Sequence, residues 1–345
     1  MATYYVDAVA GSDSNAGTAE GSGNAWQTIQ KAANTISNGD KVWVKASADY
    51  TEQVTLATSM SNLTMFEGYS STIGDNGKAT IQGSNSRSYC LSSTSKYHYG
   101  WKNFIFEGAT TASMQLNTQN AYWWFGNCIF RPGTGSGSTA GANLASSASA
   151  FVNCLFDGFS GNGIEFSGSS PDHFAGCTFS NNGNYGLLAA FSTVYAIKCV
   201  FVDNATIGLR GNTNRLDFCT FANNRDGVFT TATCQANGCI FASHNGATSY
   251  GVKHARAYKC FFYDNTTDID GLGVGSYGYD IENTYLSTDP FTDSASGDYT
   301  ILSNSPAYQG ASFVAGYTDY QDAGALQHAD PSGGGGAVLH PLRSN

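Results

Sequence analysis

Five ionisable side chains are the first place to look for chemistry: Glu165, Arg210, Lys253, His254 and Arg256. A carboxylate, an imidazole and three cations are the types that move protons or hold an acidic sugar. Glu165, Arg210 and Lys253 occupy one slot of a recurring triplet, Gly-apolar-x. It reads Gly163-Ile164-Glu165, Gly186-Leu187-Leu188, Gly208-Leu209-Arg210, Gly227-Val228-Phe229 and Gly251-Val252-Lys253. In a strand the third member points opposite to the apolar second, so these positions form an outward column. The column mixes signs and apolar residues. It holds no adjacent carboxylate pair of the kind that glycoside hydrolysis uses. The run Lys253-His254-Ala255-Arg256, taken with Arg210, is the best basic cluster and suits an acidic saccharide.

Aromatic residues offer a second surface. Tyr97, Tyr99 and Trp101 precede Tyr122, Trp123 and Trp124 by one repeat. Alternation turns some of them outward. Tyr99, Trp101, Tyr122 and Trp124 are the candidates for a platform that stacks on sugar rings or fills a protein interface. The competing reading buries them beneath the Gly/Ser-rich stretch 133–149. Asp203, Asn223 and Asp264 also share a slot, four residues after a cysteine. Calcium binding there stays open, but turn residues that bond their own backbone are the simpler reading. With no Cys-x-x-Cys and no His-x-x-x-His, zinc is not expected and no cofactor is called for.

These side chains need elements to position them, and the cysteines reveal those elements. Seven of nine fall in one motif: Cys128-Ile129-Phe130, Cys154-Leu155-Phe156, Cys177-Thr178-Phe179, Cys199-Val200-Phe201, Cys219-Thr220-Phe221, Cys239-Ile240-Phe241 and Cys260-Phe261-Phe262. Asn103-Phe104-Ile105-Phe106 is an earlier copy. A period of about 20–25 residues marks a solenoid. Cys and Phe two apart share the buried side of a strand, and the residue between them forms an outer ladder. Five after the cysteine come Asn182, Asn204, Asn224 and Asn265, with His244 in the same slot. Like side chains stacked at about 4.8 Å predict an Asn ladder at a turn, where Asn tolerates left-handed backbone. In-register cysteines do not converge for disulfides, so the thiols are read as free and buried. Leucine-rich repeats need more Leu, and propeller blades need about 40 residues. The prediction is an all-β, right-handed parallel β-helix. A helical N-terminal cap is expected within residues 25–37, where Trp26, Ile29, Ala33 and Ile36 fall at helical spacing before Asn38-Gly39-Asp40 stops it.

The ends carry a resemblance. Tyr4-Tyr5-Val6-Asp7, Gly11-Ser12-Asp13-Ser14-Asn15-Ala16-Gly17-Thr18, Trp26-Gln27-Thr28-Ile29-Gln30-Lys31-Ala32 and Gly39-Asp40-Lys41-Val42-Trp43-Val44 resemble the opening of pectin-lyase-like β-helix proteins. Gly297-Asp298-Tyr299-Thr300-Ile301, Ser305-Pro306-Ala307 and Asp322-Ala323-Gly324-Ala325-Leu326 are similar to how those chains close. The resemblance covers residues 4 to about 328 and includes phage-type members. Lyases of this superfamily typically pair a calcium site with a Lys or Arg base, and its hydrolases use clustered Asp. Neither arrangement is evident here.

Three segments follow: residues 1–41 as N-terminal strand, loop and capping helix; 42–328 as the parallel β-helix; and 329–345 as a Gly-rich linker and terminal peptide. Pro331-Ser332-Gly333-Gly334-Gly335-Gly336 is a linker by composition. Val338, Leu339, His340, Pro341 and Leu342 beyond it are read as an anchor that docks in a capsid or tail protein. The competing reading is an unanchored tail. Net charge is −10 and charged residues are 12% of the chain. That balance argues against nucleic acid, which needs clustered Lys and Arg, and against anionic membranes. No apolar run approaches a span. The N-terminus shows no signal-peptide pattern.

The expected function is therefore a non-catalytic structural or binding β-helix, virion-associated as a decoration, spike or fibre-like protein, and docked through its C-terminal peptide. A surface polysaccharide is the second expected partner, self-association is left open, and the expected location is the virion or the extracellular space after release. The alternative is an enzyme, a polysaccharide lyase or glycosidase acting on an acidic polysaccharide.

Overall fold

A computed structural model describes residues 1–117, 121–135, 138–145, 147–169, 171–270, 280–296, 298–308 and 323–325. The chain winds as a parallel β-helix. Its coils pass through three ladders, each strand pairing in parallel with the equivalent strand one coil away.

Among the described residues ladder I contains ten strands, and it carries the Cys-x-Phe motif. Its register pairs Phe130 with Phe106 and Phe156, and so on to Phe262. The alternation places these rings inside, where they stack face to face at 4.6–5.3 Å. All nine cysteines are free and buried. The motif thiols point at backbone carbonyls, as Cys177 Sγ does toward Phe151 O at 3.3 Å.

Ladder II begins with Val54–Leu56 and holds the Gly-apolar-x triplets, whose apolar members Ile164, Leu187, Leu209, Val228 and Val252 are all inside. Glycine is required where coils approach: a Cβ on Gly186 would lie 2.6 Å from Gly208 O. Ladder III begins with Thr3–Asp7, which pairs with Lys41–Lys45, so the chain's first strand is already part of the solenoid. In the later coils ladders II and III join in long bent strands, Leu187–Ile197, Ile207–Asp217, Asp226–Asn237 and Tyr250–Tyr258.

The expected Asn ladder is present, with a different backbone from that predicted. Asn182 Nδ2 donates to Asn204 Oδ1 (2.8 Å), and Asn204 Nδ2 to Asn224 Oδ1 (2.9 Å). His244 continues the column, its ring Nδ1 donating to Asn224 O at 2.9 Å. The left-handed residue is the one before each ladder side chain: Asn181, Asp203, Asn223, Ser243 and Asp264 all have φ of 48–57°. Asp203, Asn223 and Asp264 thus hold a turn conformation. The ladder side chains turn inward to satisfy buried carbonyls, which would otherwise cost stability.

The cap α1 spans Ile29–Thr35, shorter than the 25–37 expected. Trp26 instead bridges to Val6 as strand, and Asp13 Oδ1 accepts the N–H groups of Gln27 and Thr28, both at 3.0 Å. The helix proper starts at its Thr28 N-cap. Buried Ile29, Ala32 and Ala33 cover the open first coils.

At the other end, beyond Thr284–Leu286, the described residues leave the coil path. Phe291–Asp293 and Asp298–Ile301 form an antiparallel pair. They lie outside ladder I, where Phe291, Tyr299, Ile301, Ala307, Ala323 and Ala325 make a second core with Val200, Ile240 and Phe261. The outer residues of the Cys-x-Phe motif in these coils are therefore buried. Ala325 N donates to Thr220 Oγ1 at 2.9 Å and Gly324 N to Gly238 O at 2.8 Å, which closes the segment back across ladder I.

Candidate functional site

The outward column of ladder II is continuous. Its register pairs Glu165 with Leu188, Leu188 with Arg210, Arg210 with Phe229 and Phe229 with Lys253. Arg210 and Lys253 lie two coils apart, about 10 Å at the strand spacing, with the Phe229 ring between them. The Arg210 guanidinium is 5.6 Å from that ring and 5.7 Å from Tyr185. One of its terminal nitrogens donates to Tyr185 Oη at 3.0 Å. Lys253 Nζ lies 5.4 Å from the Phe229 ring and 4.6 Å from Tyr250. Asp270 continues the column and approaches Lys253 Nζ at 3.6 Å. Such distances are within the range of cation–π attraction. The result is a half-buried strip that alternates rings and cations at coil spacing.

Tyr185 and Tyr250 were missed in the sequence, although each directly precedes the glycine of a triplet. Of the other basic candidates His254 stays beside the strip, its ring 5.9 Å from that of Phe229, and Arg256 does not. Strand Tyr250–Tyr258 bends at His254, whose φ is 59° and whose ring Nδ1 donates to Thr230 O at 3.0 Å. Past this bend Arg256 pairs with Gln235 in ladder III. The structure thus keeps Lys253 and His254 beside the Arg210–Phe229 strip and places Arg256 on another ladder. Glu165 sits at the far end of the strip, two coils from Arg210, and accepts Asn162 Nδ2 at 2.9 Å.

The aromatic platform also divides. Tyr99 and Trp101 are fully buried, contrary to the expectation that they face out. Alternation from inward Phe125 places Trp123, Tyr99 and Trp101 on the core side of ladder III. Trp101 stacks on Phe66 at 4.3 Å, and Tyr99 Oη donates to Thr58 O at 2.5 Å. Tyr122 is 60% exposed and stacks on His98 at 5.2 Å, while Trp124 is half-buried over Gly126. Both belong to ladder III, a different face from the strip. Residues 338–342 lie outside the described residues. Among the described residues no three His, Cys, Asp or Glu side chains are grouped to hold a metal ion. Among the described residues no helix is long and apolar enough to cross a membrane.

Residues 115–267 match the family model described as the right handed beta helix region. A pectate lyase superposes with a TM-score of 0.68 at 16% identity, over 95% of this chain and 97% of its own. XylC, solved in complex with xylose, gives 0.64 at 11% over 78% and 70%. A glycoside hydrolase gives 0.59 at 8% over 83% and 96%. No curated protein matches the sequence. With three parallel ladders, the chain is a right-handed parallel β-helix protein. Its fold is similar to those of these solved structures, and at these identities the likeness concerns fold alone.

Proposed function

We propose that this protein is a non-catalytic binding β-helix that holds an acidic polysaccharide along ladder II. The reading rests on one observation: Arg210 and Lys253 share an outward column with Phe229 and are flanked by Tyr185 and Tyr250. Rings stack on the faces of sugars and cations pair with their carboxylates. The rise of one coil is comparable to the length of one pyranose unit, so successive sugars meet successive coils. The carboxylates beside the strip are already engaged, Glu165 by Asn162 and Asp270 by Lys253, which favours binding over proton transfer. Mounting on a virion through residues 338–342 belongs to the same proposal and is tested by truncation after Ser332.

Affinity electrophoresis in gels containing polygalacturonate, alginate or a neutral glucan tests the strip, with unsaturated products and reducing ends assayed on the same samples. We expect retardation by an acidic polymer, its loss in Arg210→Ala and Phe229→Ala, and no product. Release of product from either acidic polymer would replace this reading with the enzymatic one.

A further inference from the structure

A second site lies at the corner between ladders I and II in earlier coils. The residue after the repeat Phe is Glu107, Arg131 or Asp157 in three successive coils, preceded by Gln82 in the coil before. These four side chains line a cavity of about 690 Å³. Gln82 Nε2 donates to Glu107 Oε1 at 3.0 Å, and Arg131 Nε pairs with Glu107 Oε2. That ion pair leaves the two terminal amino groups of Arg131 to serve a ligand. Asp157 Oδ1 accepts Ser180 Oγ (2.7 Å) and Asn181 Nδ2 (2.8 Å), so both of its bonds fall on one oxygen. The turns below are held left-handed by glycines, with φ of 72° at Gly108, 76° at Gly133 and 79° at Gly158. A Cβ on Gly108 would fall on the Gln82 carboxamide, so glycine there keeps the wall in place.

We propose that this groove binds a neutral, hydroxyl-rich saccharide. The wall alternates amide, acceptor, donor and acceptor at one coil per step, the pattern that hydroxyl groups, each both donor and acceptor, can satisfy. Arg131 is already paired with Glu107, which disfavours an anionic ligand. Arg131 also stands between the two carboxylates, which disfavours a cation. The groove uses no residue of the Arg210–Lys253 strip, so the two proposals stand or fall separately.

The test is isothermal titration of the full chain with three neutral hexasaccharides, an α-1,4-glucan, a β-1,4-glucan and a β-1,4-xylan. The variants are Asp157→Ala, Arg131→Ala and, as the strip control, Phe229→Ala, each checked by circular dichroism. We expect saturable binding of at least one of them. Affinity should fall at least tenfold in Asp157→Ala and in Arg131→Ala and stay within twofold in Phe229→Ala. The proposal is overturned by no saturation with any of the three up to millimolar concentration. It is equally overturned by binding that survives both groove substitutions, or by binding lost only in Phe229→Ala. Should either groove variant misfold, Asp157→Asn and Arg131→Lys replace them, with the same criteria.

Discussion

Asp172 is a carboxyl group placed inside the solenoid. It is completely shielded, its Oδ1 accepts Ser149 N at 3.1 Å, and its Oδ2 has no partner. Its inward neighbour in the next coil is Val194. Burial lifts its pKa from 3.8 to about 9, because the interior solvates the anion poorly. The native chain therefore keeps the proton at neutral pH, whereas the unfolded chain releases it. A group whose native pKa is raised supports folding most at low pH, and the support fades as pH climbs from 3.8 towards 9. Each pH unit in that window costs about 1.4 kcal/mol. Between pH 6.5 and 8 the loss is about 2 kcal/mol. Asp172→Asn abolishes the titration and keeps an acceptor for Ser149 N. Urea unfolding at the two pH values measures the difference. We expect wild-type stability to fall about 2 kcal/mol more than that of the variant. Parallel stability–pH curves would refute the reasoning, since they would mean that the carboxylate finds solvation inside the native state.

Three other outcomes follow from the packing. Burial depresses His244 from 6.5 to about 4, so its contribution to stability is intact above pH 6.5 and lost as pH falls towards 4. His244→Asn restores the prevailing ladder residue, and its acid unfolding should lack a loss of roughly 3 kcal/mol over that window. Phe201 stacks at 4.7 Å on Phe179 and 4.6 Å on Phe221, so Phe201→Ala should cost about 3–5 kcal/mol in urea unfolding. All nine thiols are buried, and burial raises the pKa of Cys90 to about 12. A thiol-reactive chromophore should label none in the native protein and all nine once urea passes the unfolding midpoint; prompt native labelling would contradict the closed interior.

The cysteine period made the coil legible because one buried slot recurs in every turn, and a column of like side chains must be filled alike. The triplets made ladder II legible for the same reason, down to which member faces out. What the sequence concealed was bending. Nothing in Lys253-His254-Ala255-Arg256 marks His254 as the corner that sends Arg256 to another ladder. Tyr99 and Tyr122 look equivalent one repeat apart, yet register pairs Tyr99 with Trp123, so only Tyr122 is turned out. The corner groove was legible as a charged residue after Phe in three consecutive repeats, a signal diluted because later coils place Val202, Ala222 and Ala242 there. Those smaller and apolar residues sit under the closing segment, whose path no local pattern announces.

That segment has a mechanical consequence. Bonds between coils run along the axis, so tension on the two ends loads them one after another, and a bare solenoid peels turn by turn. Here Phe291, Tyr299 and Ala325 grip the coils from Val200 to Phe261 from outside, with Tyr299 Oη accepting Asn223 Nδ2 at 3.0 Å and donating to Asp203 Oδ2 at 3.2 Å. Stretching must shear that clasp before those coils can separate. Force spectroscopy should therefore resolve early small releases from the coils before Val200 and a single larger rip from the gripped block, the molecule behaving as a zipper with its last third riveted.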